Sequence, residues 1–287
     1  MCLFHAGRFN AEYPLEVDDD FWENDNPQLA FVQPRDKPST VITFNLWLRL
    51  TDIAASTSQS LVCPLFYSLF VSSFVLLEDV LENDSSALRV QDILNKLNGD
   101  LTEWAEKVPR HCELYSVFHP RLVMSLTPTP VRWPSDIEDI VVANQSATLY
   151  ATFNLITILL QRAFLSSSVT LLLSPRDAQP APGFAHALTA HTVAVNAAKA
   201  MAKILIIIHK RTLSNVPLLL VGAEIAAAVL CVDHWIIKAR GEDHLAPSSR
   251  LGPTAAWTIK SHIQDVNSLL DALRWAAPRW ETAQDKL

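Results

Sequence analysis

Glycine is nearly excluded from this chain: six glycines stand against seventeen prolines in 287 residues. Tight hairpins and bulged sheets draw on glycine for backbone conformations that other residues resist. Prolines, in contrast, end or open helices and tolerate the connections between them. A chain so punctuated is expected to be all-α, with long helices broken at proline-bearing connections. Hydrophobic residues make up 49% and charged residues 18%, with a mean hydropathy of +0.17, enough apolar surface to bury a substantial core.

Periodicity places the helices. Ser39 is suited to cap a helix in which Phe44, Trp47, Leu48 and Ile53 recur at helical spacing to about Ser56. A second helix is predicted from about Ala87 to Lys107, with Val90, Ile93, Leu94, Leu97, Leu101 and Trp104 on one face, ending before Pro109. A proline-bearing loop over 109–135 precedes a third helix, about Ile140 to Phe164, and a serine- and proline-rich loop over 166–182 follows it. The fourth is predicted from about Phe184 to Arg211, and the fifth from Pro217 to about Ala239, capped by Asn215. After a polar loop over 240–252, the sixth runs from about Pro253 to Trp275, and the tail from Pro278 adds a turn or two. The expected architecture is an irregular bundle of about six main helices (39–287), preceded by an extended acidic segment (1–38) that packs on the body through Phe21, Trp22 and Phe31.

The chemistry-bearing residues do not form an active site. The run Glu16 to Asp25 clusters carboxylates that could hold Mg²⁺ and a diphosphate, as helical terpene synthases do. It lies outside any helical pattern, and Asn83-Asp84-Ser85-Ser86 lacks the serine and glutamate of a second metal motif, so an acidic surface loop is expected. His186 and His191 are five apart, the wrong spacing for two metal ligands on one helical face. His234 reads as a core or boundary histidine, and no glycine-rich phosphate loop or G-x-S-x-G motif is present. Cys2, Cys63, Cys112 and Cys231 are scattered, which argues against a disulfide framework or a structural zinc site. A net charge of −7 disfavours a nucleic-acid surface, and His209-Lys210-Arg211 reads as a solvated helix end. The expectation is therefore no enzyme, with no catalytic, cofactor-binding or metal-binding residues.

Three stretches invite a membrane reading. Leu61–Leu77 is uncharged, Pro217–Ile237 carries Glu224 and Asp233, and Ala147–Leu160 ends at Gln161-Arg162. The first residues carry no secretory signal pattern.

Four motifs, in order, resemble the middle region of fungal zinc-cluster transcription factors of the xylanolytic-activator type. Residues 12–53 resemble "LP-x-EVDDEYW" followed by "QP-x-x-KPS" and "FN-x-x-x-x-L", matching at Pro14, Leu15, Val17, Asp18, Asp19 and Trp22, then at Gln33, Pro34, Lys37, Pro38, Ser39, Phe44, Asn45 and Leu50. Asn98 to Pro109 is similar to "LD-x-x-L-x-x-W-x-x-x-VP", and residues 144–165 to "QSA-x-LY-x-x-Y-x-x-x-x-I-x-x-HRPFL". Arg279-Trp280-Glu281 resembles the closing "A-x-RW".

The resemblance implies a non-catalytic, nuclear, all-helical regulatory domain. DNA would be bound only through a Zn₂Cys₆ cluster, which this sequence lacks, as it lacks a heptad zipper. Zinc would belong to that missing cluster, and the implied partners are co-regulator proteins or a second copy, with no membrane. The alternative is a helical integral membrane protein. The "HRPFL" signature is degraded to Gln161-Arg162-Ala163-Phe164-Leu165, and 57–77 and 112–130 interrupt the pattern as translated introns would. Excising 112–130 joins His111 to Val131-Arg132-Trp133 in the expected "VP-x-H-x-RW" order.

Overall fold

The computed structural model describes residues 12–57 (apart from 36 and 38), 84–108, 140–173, 184–210, 217–242, 253–278 and 281–284. Among them are six long helices: α1 Val41–Thr57, α2 Asp84–Glu106, α3 Ile140–Leu173, α4 Phe184–Lys210, α5 Pro217–Glu242 and α6 Pro253–Ala276. A single turn, α7 Glu281–Gln284, and a 3₁₀ turn at Asp19–Phe21 complete the elements, and the described residues include no strand. The fold is all-α, as the glycine-poor, helix-periodic sequence implies. Pro217 and Pro253 each occupy the first position of a helix, where the missing N–H would have had no intrahelical partner.

Helix α3 organises the body because it is apolar on two faces. Ala147, Ala151, Leu155 and Ile158 form one stripe, buried against α4 and α5 in a core to which α6 also contributes. Leu149, Ile156 and Leu160 form a second, buried with Leu46 and Leu50 of α1, and with Leu94, Leu97, Leu101 and Trp104 of α2. Steps of three and four residues generate each stripe, so one helix serves two cores. Each fully buried leucine contributes about 1.5–3 kcal/mol.

The larger core is built on small residues. Ala194, Ala197, Ala198 and Ala202 of α4 and Ala223 and Ala226 of α5 are all buried in it, and such small side chains let packed helices approach closely. At Gly222 the approach is so close that an added Cβ would sit 2.9 Å from Cε of Met201.

Two expectations are corrected. Helix α3 does not stop at Phe164; it runs on to Leu173, through the serines at 166–168. Those serines read as a loop because their hydroxyls compete for backbone hydrogen bonds, yet apolar residues resume at Val169 and no proline intervenes before Pro175. Helix α5 extends to Glu242, past the predicted end at Ala239. The apolar faces of α3 and α5 meet each other directly in the core.

The most spanning-like stretch, Leu61–Leu77, and the interruption at 112–130 lie outside the described residues, as do the 109–135 loop, Asn83, Arg211, Asn215 and the first three cysteines. Among the described residues, Ala187–Ile208 and Leu219–Ala239 are long and apolar enough to cross a bilayer. The second overlaps the stretch identified from sequence; the first, in α4, was not singled out. Ala147–Leu160 is part of the core.

Candidate functional site

Two polar centres stand out against this apolar body. The first joins the N-terminal segment to α1. Asp18 is 8% exposed, and its Oδ1 accepts hydrogen bonds from the Thr40 amide at 2.8 Å, the Thr40 hydroxyl at 2.8 Å and the Ser39 hydroxyl at 3.1 Å. Its Oδ2 accepts from Gln33 Nε2 at 3.1 Å and lies 3.9 Å from Lys37 Nζ. Gln33 also closes back on the segment, its Oε1 accepting the Asp18 amide at 2.9 Å.

The carboxylate therefore sits at the N-terminus of α1, where the first amides have no intrahelical acceptor and the helix dipole favours negative charge. Ser39 performs the capping expected of it, its Oγ accepting the Val41 amide at 3.1 Å. Asp18 takes the preceding amide from a distance in sequence. Burial pushes the Asp18 carboxyl up, but the hydrogen bonds from Thr40, Gln33 and Ser39 outweigh it and hold the group below the ordinary carboxylate value.

Further bonds carry the segment along α1. Asn45 Nδ2 donates to the Pro14 carbonyl at 2.9 Å and to Glu16 at 3.2 Å, and the Tyr13 hydroxyl donates to Asp52 at 2.7 Å. The arginine of Arg49 lies over the Tyr13 ring, 5.4 Å from its centroid. The expectation that Phe21, Trp22 and Phe31 anchor the segment is corrected for Trp22 and Phe31; Phe21 is half-buried, with Lys37 Nζ 4.9 Å from its ring centroid. Trp22 and Phe31 are 49% and 55% exposed and pack on each other, while Val17 and Asp18 are the buried pair. The acidic run is a surface loop except at Asp18, the carboxylate that matters most.

Two other motif segments reach the same helix. Gln145 of α3 accepts from the Thr43 hydroxyl at 3.3 Å and donates to the Thr40 carbonyl at 3.4 Å. Trp104 of α2 donates from Nε1 to the Leu46 carbonyl at 2.8 Å and stacks on Phe153 of α3 at 5.7 Å between centroids.

The second centre lies among α4, α5 and α6. His191 Nε2 is 2.7 Å from Asp233 Oδ1, and His262 Nε2 is 3.4 Å from Asp233 Oδ2. His262 is fully buried, and neither of its ring nitrogens makes a hydrogen bond among the described residues; the same holds for Nδ1 of His234. Burial, Lys199 and His234 lower the His262 pKa, and Asp233 opposes them, so the imidazole is neutral at neutral pH. Nearby Asp265 is pushed up by burial, against Lys199 and Lys203.

An aspartate–histidine pair can orient a general base, but catalysis also requires a reacting polar group within about 3 Å of the imidazole. No such group is presented to His262 by the described residues. Nor, among them, are three or more His, Cys, Asp or Glu side chains arranged to hold a metal ion. The centre's visible work is to join α4 to α5 through the Asp233 carboxylate, with the buried His262 ring of α6 packed beside it. Sequence reading missed it: His191 was weighed against His186, and Asp233 only as a charge inside an apolar helix. No sequence spacing links residues on three separate helices.

Together these features define a class of protein: an all-helical body whose acidic N-terminal strap is locked to its first helix by a buried carboxylate. Set against protein families, curated proteins and solved structures, the chain matches none.

Proposed function

We propose that the chain is the non-catalytic, helical regulatory domain of a nuclear zinc-cluster transcription factor. DNA contact would be made by a zinc cluster outside this sequence. The observation that carries the reading is the convergence of three separated motifs on α1. Asp18, Gln33, Lys37, Ser39 and Asn45 of the first motif belong to one bonded junction. Gln145 of the "QSA" segment bonds the same end of α1, and Trp104 of the "W-x-x-x-VP" segment bonds its middle. Residues that must cooperate in one junction are constrained together, which is why a fold would keep such motifs in order. A rigid body so locked is suited to pass a conformational bias from a partner to an attached module.

The test tethers the full chain to an unrelated DNA-binding module upstream of a reporter gene. The expected result is reporter output different from that of the module alone, changed again by Asp18→Ala. Equal output from module and fusion, with the fusion present in the nucleus, refutes the reading.

A second reading, a helical membrane protein, draws on the Leu219–Ala239 stretch of α5, where Val221, Val232 and Trp235 are exposed. Against it, Glu224 is exposed on the same helix and Asp233 is engaged with His191. Recovery in carbonate-washed membranes supports it; recovery in the soluble fraction removes it.

A further inference from the structure

The strap presents an aromatic face that the body does not cover. Trp22 and Phe31 lie 6.4 Å apart between ring centroids at 32°, and the neighbouring Leu29 and Val32 are 51% and 49% exposed. The Trp22 indole N–H is already taken by the Val17 carbonyl at 3.3 Å, which fixes the ring and leaves its apolar surface outward. Phe31 is held beside it at φ 59°, a conformation unfavourable for an aromatic residue, by the bond from its amide to the Phe21 carbonyl at 2.9 Å.

The strap that carries this face is one-sided in charge. Residues 12–35 carry seven carboxylates and a single arginine, Arg35. Asp18 is used in capping, Asp20 lies 3.5 Å from Lys37, and Glu16 accepts from Asn45. Glu12, Asp19, Glu23 and Asp25 are exposed, and their side chains have no partner among the described residues. An exposed aromatic pair attracts a guanidinium through its π faces, and flanking carboxylates strengthen and steer that approach.

We propose that the Trp22–Phe31 face is a docking surface for a basic, arginine-bearing polypeptide segment. The charge complementarity selects the partner: the acidic rim repels nucleic acid and anionic lipid, and the aromatic pair favours arginine over lysine. This inference is independent of the transcriptional reading and stands or falls separately.

The test uses the full chain and a fluorescein-labelled oligo-arginine peptide, followed by anisotropy at low and moderate salt. Oligo-lysine and oligo-glutamate peptides serve as comparisons. Arginine is expected to bind more tightly than lysine, glutamate not at all, and added salt to weaken binding. Trp22→Ala/Phe31→Ala is expected to weaken the arginine peptide by on the order of tenfold. Glu23→Gln/Asp25→Asn should weaken it too, whereas the charge-matched Asp92→Asn/Glu106→Gln, at exposed positions of α2, should not. If the alanine pair loses helicity, Trp22→Leu/Phe31→Leu, which keeps apolar bulk without π faces, is read in its place. Equal loss in the α2 control, or full binding without the aromatic pair, overturns the proposal. So does a wild-type dimer that the aromatic variant dissolves, since that outcome gives the face to a second copy.

Discussion

Replacing Asp18 with alanine tests the central feature of the structure. The substitution leaves the Thr40 amide at the start of α1 without its acceptor, and strips a partner from the Ser39 and Thr40 hydroxyls and from Gln33. Loss of an N-terminal cap costs about 1 kcal/mol, and a hydrogen bond to a charged, buried group adds about 2 kcal/mol. Thr40 and Lys37 are exposed and regain water, which limits the remainder. The expected loss is about 3 kcal/mol, a large share of the total for a domain worth about 5–15 kcal/mol.

Asp18→Asn keeps the shape but turns an amide toward Gln33 Nε2 and the Lys37 ammonium, and is expected to cost roughly half as much. The two losses are read from urea unfolding at neutral pH. Because the folded carboxyl titrates below the ordinary value, its stabilisation is fully present above that value, about pH 4, and disappears as pH falls through the folded pKa. The difference between wild type and Asp18→Asn must therefore shrink on acidification. Loss below about 0.5 kcal/mol, or a difference unchanged by acid, refutes the assignment of Asp18 as the lock. Hydrogen exchange should also speed up over residues 13–33 in either variant, before α3 is affected.

Trp104→Phe removes the bond to the Leu46 carbonyl while keeping most of the ring, and is expected to cost about 1–2 kcal/mol by denaturant unfolding, against about 3–5 kcal/mol for Trp104→Ala. His262 is held neutral by burial, so the unfolded chain takes up its proton first; stability falls as pH drops below about 6.5, and His262→Gln should flatten that slope in thermal melts between pH 7.5 and 5.5. Asp265, raised by burial, contributes the opposite sign, so the decisive quantity is the difference between wild type and the glutamine variant. Gly222→Ala gains about 1 kcal/mol of helix propensity and displaces the flexible tip of Met201, giving a net change within about 1 kcal/mol in either direction; a larger loss means that Met201 cannot move.

Helix positions were largely legible in the sequence because they follow from local rules. Apolar residues at three- and four-residue steps, with Pro217 and Pro253 at helix starts, placed six helices with most boundaries near the observed ones. The misplaced end of α3 has a local cause as well: three serines in succession weaken helix propensity, yet the helix continues through the apolar residues that resume at Val169. Ser39 was legible as a cap for the same reason, its acceptor lying two residues from the amide that it serves.

The strap's attachment was not legible in this way. Aromatic residues carry the largest apolar area, so Trp22 and Phe31 were the natural anchors, and an acidic run ordinarily faces water. The structure reverses both, exposing the rings and burying Asp18, because the amides at the head of α1 need an acceptor more than the rings need cover. His191, Asp233 and His262 meet for a similar reason, brought together only once α4, α5 and α6 pack. Sequence alone determined that the chain is helical and where its helices run, since hydrophobic period and proline act within a few residues. Tertiary structure alone decided which polar groups are buried and paired, since those pairings join residues that only packing brings within hydrogen-bond reach.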